Sequence, residues 1–516
     1  MCASVVFLVS ETVIMASQQL IFDSRHGTCK WRTHKISFFL QFLSIMFASL
    51  QSSFSSAKDT YYLGFLSPFP IENKDSLIPI HLAQQWQSAF QVALEVLNSE
   101  NRTYQLQSVL ADTSCSWMKV LSLSHIMDQK NLIGVVGPAC SGAALSATQY
   151  FDQETPIVSF AATHESLSNR NNYPNFFRTV YGDKYQTLAM LSVMEKLDIW
   201  NATIICAKDY YSLSIGSSIQ QIAIERILSM KVLDLGEDSL ININQVREIL
   251  DGLNANNAVI LALPPLTARD FWTLAVQMGK TDFPRWYFGT DGVTAFNPSI
   301  DGSTDLVQAI QGETGISPLD GDAMTIMGCK KYFDYWEMKN YPGLPQGGLY
   351  NARSYVTHLI DTVALYFKIV DDLVESNLSV NASAVLSALQ GSGIGSPIVN
   401  GCTGNVEIDP ETGSRKVSPS RPSIYNVVSF EQNNWKLSAR VLNVTFINIQ
   451  PIFRPTSASN KSNIKKKNRK GILIAGLVLF SAASIILLAV LLVYFLRRRG
   501  AQATNFVRMR RHSTSL

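Results

Sequence analysis

The chain has 516 residues, which suits two domains of about 200 residues each once the terminal segments are set aside. Its 43 basic and 40 acidic residues leave a net charge of only +3, and this balance argues against nucleic-acid binding. The seven histidines are scattered, and the sequence contains no HExxH, P-loop or nucleophile-elbow motif. We therefore predict a protein that is not an enzyme and that holds no cofactor or metal.

The N-terminus has the layout of a secretory signal peptide. Basic residues between positions 25 and 35 precede an apolar stretch at 38–50, and Ser55-Ser56-Ala57 supplies small residues for cleavage. These features predict a signal peptide over residues 1–57, with Met15 as an alternative start. An uncleaved signal anchor is the competing interpretation.

Strand and helix patterns alternate through the region that follows. Strand patterns occur at 61–66, 105–111, 132–136, 156–161, 203–207, 231–235, 258–263 and 285–289. Helical patterns occur at 82–97, 119–127, 186–197, 217–230, 245–253, 271–278, 322–339 and 353–374. This alternation is typical of parallel sheets with helices on both faces.

The stretch from Gly134 to Thr179 predicts a ligand crevice. One apolar strand runs into Gly-Pro-Ala-Cys-Ser-Gly before a helix, and a second strand ends in small and hydroxylic residues. Ser141 and Thr163 therefore lie where strand ends meet helix starts, the place where open α/β sheets bind small molecules and anions.

The same stretch carries a family resemblance. Leu167-Ser168-Asn169-Arg170, Tyr173-Pro174 and Phe176-Phe177-Arg178-Thr179 resemble the ligand-binding region of class C G-protein-coupled receptors (metabotropic glutamate and GABA-B receptors) and natriuretic peptide receptors, most of all the GABA-B branch. The resemblance covers roughly residues 61–444. It implies an α/β, bilobed type I periplasmic-binding-protein fold, or Venus flytrap.

This fold has two doubly wound parallel-sheet lobes joined by three crossovers. The resemblance places the ligand-binding region at 58–450, with lobe 1 at about 58–180 and 316–400 and lobe 2 at about 181–315 and 401–450. The expected crossings lie near residues 180, 315 and 400.

On the carboxylate side of an amino-acid ligand, the resemblance assigns four residues. Ser141 and Gly142 match a carboxylate-holding serine turn, and Ala162-Thr163 match a position that presents a hydroxyl and backbone groups. The alternative for Ser141 is a simple helix cap, and Thr163 has a similar alternative.

On the ammonium side, the resemblance assigns Asp183 and Asp291 as acids and Tyr211 as the lobe 2 tyrosine that closes over the ligand. The alternatives are a helix cap for Asp183, a packed core aromatic for Tyr211 and an ordinary Asp-Gly turn at Asp291. No basic residue within 66–74 matches the one that holds the distal acid in glutamate receptors, which argues against glutamate itself.

Five cysteines lie within 58–450, on the side predicted to be extracellular, where disulfides form. The resemblance pairs Cys115 with Cys140, and we predict Cys329–Cys402 as the second disulfide. Cys206 lies in an apolar strand pattern and is expected to be a buried free thiol.

Residues 471–496 form an uncharged apolar stretch of 26 residues, long enough for one transmembrane helix. A buried core helix is the alternative. Basic residues flank both ends, so orientation is inferred from the signal peptide and from six glycosylation sequons before the span, at Asn101, Asn201, Asn377, Asn381, Asn443 and Asn460. We predict a single-pass type I plasma-membrane protein with a stalk at 451–470 and a cytoplasmic tail at 497–516.

The tail offers two short motifs. Arg510-Arg511-His512-Ser513 fits a basophilic kinase site, and Thr514-Ser515-Leu516 fits a PDZ-binding C-terminus. The arginines after the span also suit anchoring at anionic lipid.

Together these features predict a cell-surface receptor that closes around a small amino-acid-like ligand of the GABA or glutamate type. It would signal through a partner or as a homodimer or heterodimer formed through lobe 1. One alternative is a peptide receptor similar to the natriuretic peptide clearance receptor. Another is a truncated class C receptor that acts as a dimerisation or decoy subunit.

Overall fold

The computed structural model describes most of the predicted ligand-binding region. The described residues are 58–70, 77–127, 131–235, 241–253, 258–281, 287–300, 304–318, 326–344, 355–417, 423–431, 434–442 and 445–448. Contacts group the chain from Thr60 onward into one unit, to which the fold below belongs.

The first lobe is built on a five-stranded sheet. Its elements are β1 (Asp59–Ser67), α1 (Ile80–Asn98), β2 (Tyr104–Asp112), α2 (Trp117–Met127), β3 (Leu132–Val136), α3 (Ser141–Tyr150), β4 (Ile157–Ser159) and β5 (Phe176–Arg178). The strand order is β2-β1-β3-β4-β5, and the pairs from β1 through β5 are parallel. Strand β3 is buried along its whole length, as expected for a strand covered by helices on both faces.

The second lobe is built on an eight-stranded sheet. It begins with α4 (Asp183–Lys196), β6 (Ala202–Ala207), α5 (Tyr210–Ile222), β7 (Ile227–Leu233), α6 (Ile243–Gly252), β8 (Val259–Ala262), α7 (Pro265–Gln277), β9 (Tyr287–Gly289), α8 (Asp291–Ala295), α9 (Thr304–Ala309) and β10 (Thr314–Pro318). The strands β7-β6-β8-β9-β10 repeat the 2-1-3-4-5 order of the first lobe, although no sequence repeat is visible. The two lobes therefore share one winding pattern.

The chain then returns to the first lobe and leaves it again. Helices α10 (Ile326–Lys339), α11 (Val356–Glu375) and α12 (Ala382–Leu389) and the hairpin β11 (Ile398–Gly401) and β12 (Gly404–Glu407) precede β13 (Ser423–Glu431), β14 (Asn434–Leu442) and β15 (Thr445–Asn448). Helices α10 and α11 pack on α1, whereas β13 pairs antiparallel with β10 and extends the second sheet. Three passages between lobes result.

The third passage comes later than the expected position near residue 400. The β11–β12 hairpin stays on the first lobe, where the Asp361 carboxylate on α11 accepts hydrogen bonds from the backbone N–H groups of Cys402 and Thr403, the latter at 2.9 Å. The Cys329–Cys402 disulfide ties the same hairpin to α10. Residues 401–407, expected in lobe 2, therefore belong to lobe 1.

The helix expected at 217–230 is the largest local difference from the sequence prediction. The structure instead has α5 at Tyr210–Ile222, followed by strand β7 at Ile227–Leu233. The helix starts early because the Asp209 side chain caps it, accepting from the N–H groups of Tyr211 at 3.0 Å and Ser212 at 3.1 Å. It ends early because the following residues pair with β6.

Disulfides join Cys115 to Cys140 and Cys329 to Cys402, the pairs that the sequence predicted, with Cα–Cα distances of 5.3 and 4.8 Å. Cys206 is a buried free thiol. The sequon residues Asn101, Asn201, Asn377 and Asn381 are exposed, while Asn443 and Asn460 lie outside the described residues.

In the described part of the chain, no helix combines the length and the apolar character that a membrane crossing requires. The predicted transmembrane helix at 471–496, the signal peptide at 1–57, the stalk and the tail all lie outside the described residues.

Candidate ligand-binding cleft

A cavity of about 120 Å³ lies where the two lobes meet. In each sheet the strand order reverses once, between β1 and β3 and between β6 and β8, and open α/β sheets bind ligands at this switch point. The cavity is lined by residues that follow all four of these strands, among them Leu77, Ser141, Tyr211 and Pro264. The two switch points therefore face each other across one space.

Asp291 is the acidic centre of the cleft. This carboxylate, 5 % exposed at the start of α8, accepts hydrogen bonds from the hydroxyls of Tyr211 in the second lobe and Tyr355 in the first. The Tyr211 hydroxyl also lies 2.8 Å from Thr290 Oγ1, which can donate to it, and it accepts from the Gly292 N–H at 3.1 Å. Burial and the nearby Asp291 charge raise the pKa values of both tyrosines, so they remain donors. The Tyr355–Asp291 hydrogen bond joins the two lobes across the cleft.

Ser141 and Gly142 begin α3 and line the cavity opposite Asp291. Cys140, not Ser141, is the N-cap of this helix, and it makes no side-chain cap bond. The Ser141 hydroxyl instead accepts from the His164 N–H at 3.3 Å. Because the first N–H groups of a helix lack internal partners, this end of α3 can hold an anion.

Ala162, Thr163 and Asp183 lie behind the cavity and are not among its lining residues. All three are fully buried or nearly so, and the Asp183 N–H donates to the Thr163 carbonyl at 2.9 Å. Ser214 on α5 donates to Asp183 Oδ2, while Asp183 Oδ1 and Thr163 Oγ1 have no hydrogen-bond partner among the described residues. The structure thus brings Ala162, Thr163 and Asp183 together, but it places them behind the cavity wall that Ser141 and Asp291 form.

Burial, together with the neighbouring Asp291 charge, raises the pKa of Asp183 to about 7 against the opposing effects of hydrogen bonds and of Arg178. A carboxyl whose folded-state pKa exceeds its ordinary value of 3.8 stabilises the fold fully below about pH 4. That contribution is lost as the pH rises through about 7.

We therefore expect the free energy of unfolding of Asp183→Asn, relative to that of the wild type, to rise by about 2.5 kcal/mol between pH 5 and pH 8. The measurement is urea unfolding of both chains across this range. Comparing the two chains cancels other titrating groups such as Asp361, whose pKa burial raises to about 6. A pH-independent difference would contradict the assignment.

The motif that carries the family resemblance supports the cleft from outside. Arg170 packs on the Phe177 ring at 4.4 Å and donates to the carbonyls of Tyr173, Pro174 and Phe176. These contacts fix the loop before β5. The motif therefore shapes the scaffold, and its conspicuous residues do not line the cavity.

Among the cavity residues that the sequence analysis did not assign, Asp209, Trp86 and Tyr355 matter most for the chemistry of the site. Asp209 comes just after β6, as Ser141 comes a short turn after β3. A polar residue at the end of a parallel strand is a candidate ligand-binding residue, so the sequence did indicate Asp209. Its Oδ2 is buried without a partner among the described residues. Trp86 was visible in the α1 pattern as a core position. Tyr355 offers no sequence signal, because its place depends on a left-handed backbone, with φ 72°, at the start of α11.

Two doubly wound lobes whose switch points meet at one shared cavity define a bilobed α/β architecture. The chain belongs to the receptor family ligand binding region, whose sequence profile matches residues 85–418, more than half of the chain. This match confirms the resemblance to the receptor family that the residues indicated, at the level of the family.

Similar receptors are known from several organisms. The chain is 32% identical over 126 residues to taste receptor type 1 member 1 of Homo sapiens, covering 22% of this chain and 15% of that protein. It is 27% identical over 230 residues to metabotropic glutamate receptor-like protein E of Dictyostelium discoideum, covering 43% and 28%. The aligned part of the chain thus spans well under a third of either relative.

Solved structures show the same fold. A solute binding protein of an ABC transporter from Rhodopseudomonas palustris BisB5, in complex with 3,4-dihydroxy benzoic acid, matches with a TM-score of 0.55 and 14% identity. The match covers 78% of this chain and 100% of that one. A solute binding protein from R. palustris in complex with 4-hydroxybenzoate gives a TM-score of 0.57 at 12% identity, covering 76% and 96%.

Proposed function

We propose that this chain is a receptor whose two lobes close around a small α-amino acid or a close chemical relative. The observation that carries the proposal is the polarity of the cavity. On one side the N-terminus of α3, with Ser141, offers donors to a carboxylate, and on the other Asp209 and Asp291 offer acceptors to an ammonium group. A zwitterion satisfies both sides at once.

Closure is the proposed response to the ligand. Hydrogen bonds cross the cleft from Tyr355 to Asp291 and from the Glu165 N–H to Ser214 Oγ at 3.2 Å. A ligand that touches both lobes binds the closed state more tightly than the open one, and only such a difference in affinity shifts the population.

The proposal extends to the cell surface. Relatives of this chain are named as receptors, and the apolar segment at 471–496 with the preceding sequons supports a single-pass, glycosylated plasma-membrane protein. Exposed Trp117, Met118 and Tyr150 on α2 and α3 of lobe 1 support a homodimer or heterodimer formed through that lobe. The signal would be transmitted by the partner subunit or by a protein that binds the C-terminal residues Thr514–Leu516.

The test is a thermal-shift titration of the purified full chain with free amino acids, including glycine, GABA and glutamate. A ligand at about 100 times its Kd is expected to stabilise the chain by about 2.7 kcal/mol. Asp291→Ala is expected to weaken binding of the same ligand at least about tenfold, because the ammonium partner is lost.

Asp305→Ala is the matched control, since this exposed acid lies on α9, away from the cavity lining. Equal affinity of the Asp291 variant and the control would remove Asp291 from the site. A folded chain that responds to no amino acid would overturn the proposed function.

A further inference from the structure

The cavity has a polar end and a second, apolar region. Besides the serine, glycine, cysteine, aspartate and tyrosine residues, the lining consists of apolar side chains: Leu77, Ile78, Leu82, Trp86, Ala139, Ala161, Pro264, Pro265 and Ala295. They come from both lobes. An apolar wall of this extent is the complement of an apolar ligand group.

The charged residues around the cavity also favour a ligand with an apolar side chain over one with an acidic side chain. Among the described lining residues, the charged ones are Asp209 and Asp291, and none is a lysine, arginine or histidine. On binding, a second carboxylate on the ligand would lose its hydration. It would find no cation among these residues and would lie near two acids. Burial of an unpaired charge is strongly unfavourable. The site thus disfavours dicarboxylic amino acids such as glutamate.

Trp86 is the largest apolar lining residue and is held firmly. It lies on α1 one helical turn after Leu82, so both side chains lie on the same face of the helix. The indole is 3 % exposed and contacts the Phe160 ring edge-on, with 5.4 Å between centroids. A rigid aromatic wall in a pocket favours flat or branched apolar groups.

We propose that the cleft selects α-amino acids with bulky apolar side chains, of the size of leucine or phenylalanine, and rejects acidic ones. This inference rests on the proposed function, because it takes the amino-acid cleft as given. The apolar wall of this cavity of about 120 Å³ comes from both lobes, with Trp86 from the first and Pro264 and Pro265 from the second, so a bulky apolar side chain can contact both lobes at once.

The experiment is a calorimetric titration of the purified full chain with L-phenylalanine, L-leucine, glycine, L-glutamate and GABA. Phenylalanine and leucine are expected to bind at least about tenfold more tightly than glutamate or GABA. Trp86→Ala is expected to weaken phenylalanine binding at least about tenfold, while glycine, which does not reach the indole, changes less than about threefold.

Ile78→Arg is the second variant, because Ile78 lines the cavity, is only half-buried and lies before α1 and not within it. The added cation is expected to raise glutamate affinity relative to phenylalanine at least about tenfold. Wild-type binding of glutamate or GABA as tight as that of phenylalanine would overturn this inference and leave the proposed function standing. Binding of no amino acid would overturn both.

Discussion

Replacing Arg178 with methionine is expected to lower the free energy of unfolding by about 5 kcal/mol. Arg178 is completely buried at the end of β5. Its guanidinium donates to Ser414 Oγ at 2.9 Å and Ser168 Oγ at 2.5 Å. It also donates to the carbonyls of Ala162 at 3.3 Å and His164 at 3.1 Å.

Methionine fills the space but donates no hydrogen bond, so all four acceptors lose this donor at once, and two of them belong to the buried residues Ser414 and Ala162. The loss extends to Asp183, because the Arg178 charge opposes the rise in the Asp183 pKa that burial causes. Chemical unfolding of the two chains measures the difference.

Arg247→Met is the matched control. Arg247 is exposed on α6 and donates one long hydrogen bond, to Asn244 at 3.4 Å, so its loss should change stability by less than about 0.5 kcal/mol. If Arg178→Met were as mild as this control, the buried network would contribute nothing to the fold, contrary to our assignment.

Replacing Gly142 with leucine is expected to hold the cleft open and to weaken ligand binding at least about a hundredfold, or about 2.7 kcal/mol. A Cβ at this position would lie 2.8 Å from Cδ2 of Tyr210 on the opposite lobe. The clash exists only while α3 and α5 face each other across the closed cleft. The variant therefore penalises the closed state and leaves each lobe intact.

Two measurements check this prediction. Small-angle X-ray scattering should show a larger radius of gyration for Gly142→Leu than for the wild type, and the ligand found in the amino-acid titration should bind more weakly. Gly252→Leu is the control, because no atom lies within 4 Å of a Cβ added there. A variant as compact as the wild type with unchanged affinity would show that closure does not depend on this contact.

Much of the scaffold was predictable from local pattern. The continuous apolar run at 132–136 predicts the strand there, and the apolar periodicity at 82–97 predicts helix α1. The family motif at 167–179 indicated the bilobed fold. The resemblance also indicated Ser141, Tyr211 and Asp291, which the structure brings to one cavity. These residues come directly after strands or begin helices, where a sequence pattern fixes their place in the sheet.

The rest depends on how the lobes meet. Asp183 occupies the expected helix, yet its carboxyl is buried behind the cleft because α4 packs against α5, a contact that no local pattern contains. Tyr355 reaches Asp291 from the other lobe through a left-handed backbone turn. Such relations join residues far apart in sequence, so they require the assembled fold.

The three passages of the chain between the lobes have a mechanical consequence. A hinge made of a single chain segment can twist as well as bend. Several segments side by side resist twisting, so bending about one axis remains the low-energy motion. Arg415 links these hinge segments. Its guanidinium donates to the Thr403 carbonyl at 2.8 Å and to the Asn405 carbonyl at 3.0 Å, and its backbone N–H donates to the Val180 carbonyl at 3.4 Å. Under the proposed closure, occupancy of the cleft would change a single angle between the lobes, a quantity that a neighbouring molecule could sense without contacting the ligand.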